Sequence, residues 1–69
     1  MITLTRLKGS RIALNPDLIE RVEETPDTTV LMIDGATYIV KEHVEEVIDR
    51  IVQFRARVLV AATLGTQEK

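Results

Sequence analysis

The chain has no cysteine and no tryptophan, one phenylalanine, one tyrosine, one histidine and three glycines. Without thiols there is no disulfide to brace the fold and no thiolate metal site. The lone histidine, His43, makes an i, i+3 pair with Glu46, and two ligands do not hold a metal. Glycine is too sparse for a phosphate-cradling loop, so Asp34-Gly35 reads as turn chemistry. The acids Asp17, Glu20, Glu23, Glu24 and Asp27 lack the spacing and mid-loop glycine of a calcium loop. Ser10 has no base near it in sequence. These absences predict no catalytic set, no metal, no cofactor and no enzymatic activity. The longest uncharged stretch, Val58 to Gln67, falls well short of the roughly 20 apolar residues of a membrane span. The opening Met1-Ile2-Thr3-Leu4-Thr5-Arg6 lacks the apolar core of a secretory signal. A cytoplasmic protein is the expectation.

What is present fits one small domain spanning 1–69. Apolar residues make up 45% of the chain and charged residues 29%, a globular balance. Ordering such a chain costs on the order of 100 kcal/mol, and a domain this small often adds burial by associating with itself or a partner. The net charge of −2 conceals a segregation. Residues 1–16 carry Arg6, Lys8 and Arg11 with no acid. Residues 17–49 carry nearly all the acids against Arg21 and Lys41. Residues 50–69 carry Arg50, Arg55, Arg57 and Lys69 against Glu68. The acidic middle argues against nucleic-acid binding, which calls for a basic stripe and a high pI. Asp17, Glu20, Glu23, Glu24 and Asp27 form a candidate acidic docking edge, although most charge runs only aid solubility.

Residues 1–41 read as short strands. Ile2–Leu7 and Arg11–Leu14 flank the turn Lys8-Gly9-Ser10, giving one hairpin. Asn15-Pro16-Asp17 and Thr25-Pro26-Asp27 are turn sequences. Between them Leu18–Glu24 reads as a strand in which Ile19, Arg21 and Glu23 alternate against Glu20, Val22 and Glu24. Thr28–Ile33 and Ala36–Val40 meet at Asp34-Gly35, a strong hairpin signature. Val30, Leu31, Met32 and Ile33 are apolar on both faces, which predicts an interior strand covered on each side, with Tyr38 and Val40 paired across it.

Beyond Lys41 the period changes. Val44, Val47, Ile48, Ile51, Phe54 and Val58 recur at helical spacing, with acids early and arginines late, as the helix dipole favours. A helix over 42–63 follows, with Gly65 as its stop and 64–69 as a tail. The fold class is therefore α+β: an antiparallel sheet of four or five strands in two hairpins, then one long amphipathic helix. Residues 42 to 62 would span roughly 31 Å, longer than a 41-residue sheet is wide, so the helix end should overhang. That end (Val58, Leu59, Val60, Ala61, Ala62, Leu64) is apolar on more than one face and marks a contact surface. Val44, Val47, Ile51, Phe54, Val58 and Ala61 follow the spacing of a helix seam. Phe54, Val58, Leu59, Ala61 and Ala62 are thus the candidate interface, most simply of a two-fold homodimer. Arg55 and Arg57 would pair there with acids of a neighbouring chain, such as Glu45, Glu46 or Asp49.

Two resemblances bear on function. Leu4-Thr5-Arg6 followed by Gly9 resembles the opening of the CsrA family of RNA-binding translational regulators, but Leu7 and Ser10 depart from that pattern. The second covers most of the chain. Leu4-Thr5-Arg6-Leu7, Gly9, Leu14-Asn15, Asp17-Leu18-Ile19-Glu20, Glu24-Thr25-Pro26-Asp27-Thr28, Gly35, Tyr38, Val40-Lys41-Glu42 and Val44-Glu45-Glu46-Val47-Ile48 resemble, in order, the FlbD/SwrD family. The resemblance implies a small cytoplasmic accessory of bacterial flagellar and swarming motility, without enzymatic activity; it supplies no molecular partner, for which the motor's stator or switch components are the natural candidates. His43 stands where that family often has a capping serine, so a weaker helix start is expected.

Overall fold

The computed structural model describes the backbone of residues 1–67 and the side chains of residues 1–63. The order is β1 (Ile2–Thr5), β2 (Arg11–Leu14), a 3-10 turn (Pro16–Leu18), β3 (Ile19–Glu24), β4 (Thr28–Met32), β5 (Thr37–Val40) and α1 (Val44–Gln67). All strand pairs are antiparallel. They form two sheets rather than one: β1-β2, and a three-stranded sheet in the order β3-β4-β5. The two join where the chain leaving β1 meets the end of β5. There Arg6 bridges Val40, and the Lys41 N–H donates to the Thr5 carbonyl at 2.8 Å.

Both hairpins close through the same three-residue loop. In the first, the Gly9 N–H donates to the Arg6 carbonyl at 2.8 Å and the Arg6 N–H to the Ser10 carbonyl. In the second, Gly35 N–H donates to Met32 and Met32 N–H to Ala36, with Asp34 Oδ1 accepting from the Ala36 N–H at 2.9 Å. Each glycine holds positive φ, +103° at Gly9 and +92° at Gly35. This is a tight turn followed by a left-handed residue, which glycine adopts without penalty. Asp34-Gly35 thus marks the hairpin, but in a loop one residue longer than the two-residue Asp-Gly turn.

β4 is the central strand of its sheet, with Val30 opposite both Val22 and Tyr38, and Val40 opposite Thr28. It is covered on one face only. Val30 and Met32 are buried, Leu31 on the other face is half-buried, and Ile33 beyond the strand end is 62% exposed. The expected two-sided cover fails because α1, the only α-helix among the described residues, lies on one side. In β3 the alternation is broken by a bulge between Ile19 and Arg21. The extra residue, Glu20, lets Ile19 and Val22 both pack on the core, where strict alternation would have turned one outward.

The core gathers Ile2, Leu4, Leu14, Val30, Met32, Val40 and Val47, with Ile51 and Phe54 packed against it. Val47, Ile51 and Phe54 set the helix face that meets the sheets. Ile48, expected on that face, is 52% exposed, because one residue turns it about 100° from Val47. The helix begins at Val44 rather than 42, since Glu42 is drawn into the sheet junction. It also runs through Gly65 to Gln67. A helical glycine costs only about 1 kcal/mol, too little to end a helix alone. The tail expected at 64–69 is therefore helical as far as Gln67, and residues 68–69 lie outside the described residues, as do the side chains of 64–67. The molecule measures 47 × 22 × 19 Å, so the helix end does overhang.

Candidate functional site: the helix and what it presents

Two carboxylates anchor the helix to the sheets. Glu42, at the end of β5, is only 7% exposed. Its oxygens accept from the Thr5 N–H at 2.9 and 3.1 Å, and Arg50 reaches it from α1 at 3.2 Å. Arg50 Nη1 also donates to the Thr3 carbonyl. Burial works against the Glu42 charge, but hydrogen bonding from Thr5 and from its own backbone, with a smaller contribution from the Arg50 charge, more than offsets it and holds the carboxyl below its ordinary range. One buried acid thus ties together β1, β5 and α1.

Glu24, at the end of β3, takes the other role. Its Oε1 accepts from the Val44 N–H at 3.0 Å, and its Oε2 lies 2.8 Å from His43 Nδ1. The Val44 N–H lowers the Glu24 pKa, with His43 adding to the effect; in turn the Glu24 carboxylate raises that of His43. The His43 N–H still donates to Glu46 Oε1, at 3.4 Å, completing the half of the capping box that the sequence retains. The weaker helix start expected from His43 is therefore offset by Glu24, a cap supplied from another element.

This use of Glu24 changes the acidic edge. Asp17 pairs with Arg55 at 3.0 Å, and Glu23 pairs with Arg21 at 3.3 Å along β3. Among the described residues, Glu20 and Asp27 alone of the five carry side chains without such a partner. Arg55, assigned from sequence to a neighbouring chain, is thereby engaged within its own.

The helix presents two apolar faces. The first is the sequence-predicted seam, and its first half lies on the sheets: Val47 is fully buried and Phe54 half-buried. Val58, one turn on from Phe54, is already 52% exposed, followed by Leu59 at 69% and by exposed Val60, Ala61 and Ala62. The second face is not evident from that spacing. Ile48, Val52 and Leu59 are all exposed and lie within about 40° of one another on the helix. A shallow cavity of about 480 Å³ lined by Asp17, Phe54, Arg55, Val58, Leu59 and Ala62 lies at the end of the first face. Among the described residues these side chains leave the outer half of α1 with apolar surface facing solvent.

The strand that resembles an RNA-binding opening is otherwise committed. Leu4 is fully buried, β1 pairs with β2 of its own chain, and Arg6 stacks over the Tyr38 ring at 5.5 Å. No helix among the described residues is long and apolar enough to cross a membrane. A family model described as FlbD, flagellar and swarming motility proteins, matches residues 1–59. Comparison with curated proteins and with solved structures gives no match.

Proposed function

We propose that this chain, which belongs to the FlbD family of flagellar and swarming motility proteins, is a non-enzymatic cytoplasmic accessory of motility that works through protein–protein contacts. The observation that carries this reading is the outer half of α1, where Val58, Leu59 and Val60 stand more than half exposed beyond the sheets. Leaving them in water forgoes about 25 cal/mol for each Å² of apolar surface, which a partner would recover. A second copy of the chain is the first partner to consider, because a two-fold pairing needs no other component. Stator or switch components of the motor are the heterologous partners that the motility role suggests.

The test is the double variant Val58→Asp/Leu59→Asp in swarming cells, with crosslinking and pull-down of the wild type alongside. Both side chains are exposed, so the variant should accumulate and keep the wild-type circular dichroism spectrum while swarming is lost. Normal swarming by the folded variant would remove the helix end from the function. Charge reversal at Glu20 and Asp27 separately tests the acidic edge, and normal motility in that variant would exclude it.

A further inference from the structure

The two basic ends of the sequence meet in the fold. Arg11 opens β2, and Arg50 and Arg57 lie on α1 about two turns apart. All three line one cleft of about 290 Å³ with Met1, Ile2, Thr3 and Phe54, and no acid is among the lining residues.

The pairing of the other arginines makes this cleft unusual. The chain has six arginines within an excess of acids, eleven against nine bases. Arg21 pairs with Glu23, Arg55 with Asp17 and Arg50 with Glu42. Arg6 stacks on Tyr38. Arg11 and Arg57 alone have no such partner among the described residues, and they share the cleft. Like charges gathered in a concave site raise its potential and attract a counter-ion.

We propose that this cleft binds a phosphate group. Arg50 is held in place by the Thr3 carbonyl and the Glu42 carboxylate, so one guanidinium is ordered before any ligand arrives, which lowers the entropic cost of binding. Guanidinium groups present flat forks of N–H donors that match phosphate oxygens. A single carboxylate offers two oxygens and one charge, enough for one fork. A phosphate offers more oxygens and up to two charges, enough to be shared between Arg11, Arg50 and Arg57. Half-buried Phe54 lies one turn from each helix arginine and gives an apolar wall for the carbon part of an ester. The volume sits at the low end for ligand pockets, which suits a pyrophosphate, a small phosphate ester or one lipid headgroup.

The test is titration of the full chain with inorganic pyrophosphate at low salt, followed by calorimetry and amide NMR, with vesicles of phosphatidylglycerol or phosphatidylcholine as a second arm. Saturable one-to-one binding is expected, with shifts centred on residues 1–3, 11 and 50–57 and a rise in melting temperature. Arg11→Gln and Arg57→Gln should each weaken binding about tenfold, without lowering the melting temperature of the free protein. The double variant should not bind, and Arg21→Gln should bind as the wild type does. Pyrophosphate binding lost in the double variant supports a free phosphate compound. Phosphatidylglycerol binding that is lost in the double variant and displaced by pyrophosphate supports a headgroup phosphate. Saturable binding of neither probe, or binding that the double variant retains, overturns the site.

Discussion

Glu24 and Val44 are twenty residues apart in the chain, and the Glu24 carboxylate accepts the first amide of α1 at 3.0 Å. An N-terminal helix cap normally comes from the residue just before the helix. Here that position is His43, whose ring instead contacts the same carboxylate. The cap therefore also fastens the end of β3 to the start of the helix. Replacing Glu24 by Ala should lower the melting temperature by a few degrees, with the loss of protection concentrated at the amides of residues 44–46 in hydrogen exchange.

The pair also gives the helix start a pH window. The Glu24 pKa is lowered from 4.5, so its contribution to stability is present above 4.5 and fades as pH falls through the lowered value. The His43 pKa is raised from 6.5, so its contribution is full below 6.5 and fades as pH rises through the raised value. Their joint contribution is greatest between about 4.5 and 6.5. Melting curves of His43→Gln should lose the decline on the alkaline side and keep the one on the acid side. An unchanged alkaline limb in that variant would show that His43 carries no charge-dependent role.

Glu42 supports a stronger prediction because it is buried. Glu42→Ala leaves the Thr5 N–H without its acceptor and Arg50 without its counter-charge, and should cost about 2–3 kcal/mol. Glu42→Gln keeps an acceptor oxygen for Thr5 and should cost roughly half as much. Denaturant midpoints of the two variants measure the difference. Equal midpoints would mean that the hydrogen bond, rather than the charge, contributes little.

Gly9 and Gly35 make a matched pair. Neither has a heavy atom within 4 Å of where a Cβ would sit, while both hold positive φ. The cost of Ala at either position should therefore come from the backbone alone, about 1–2 kcal/mol, and should be nearly the same at both. A much larger loss at one site in equilibrium unfolding would point to a contact rather than a turn conformation.

The hairpins, the long helix and its overhang were all legible from periodicity and turn residues. That Tyr38 and Val40 lie across from β4 was legible too, but not their register: a two-residue Asp34-Gly35 turn would set Tyr38 opposite Leu31, whereas the longer loop sets it opposite Val30. The roles of Glu24 and Glu42 were not legible. A cap provided from twenty residues away is a tertiary relation, and composition favours reading Glu42 as a solvated acid in a first helical turn because glutamate is so seldom buried. The bulge at Glu20 was equally hidden: a strand with charges on both faces gives little reason to shift register. Helical spacing told which residues share a broad apolar face, but not that Ile48 would fall outside the part of it that meets the sheets. That depended on where the sheets meet the helix.

Self-association through the outer part of α1 is the remaining prediction, and the structure sharpens which residues test it. Phe54 packs against the core, so Phe54→Asp would unfold the chain and reveal nothing about a dimer. Leu59 is 69% exposed, and both apolar faces of the helix end converge near it. Val52 and Ile48 continue one face towards the sheets, and Val58 continues the other. An antiparallel partner would lie along Ile48, Val52 and Leu59, where neighbouring Ala56 allows close approach of the two helices. Wild-type protein should then sediment as a dimer at tens of micromolar, on the order of the concentration at which a modest interface holds. Leu59→Asp should sediment as a monomer with an unchanged circular dichroism spectrum. A wild-type monomer at that concentration would exclude the two-fold pairing and leave the exposed face to a partner from the motor.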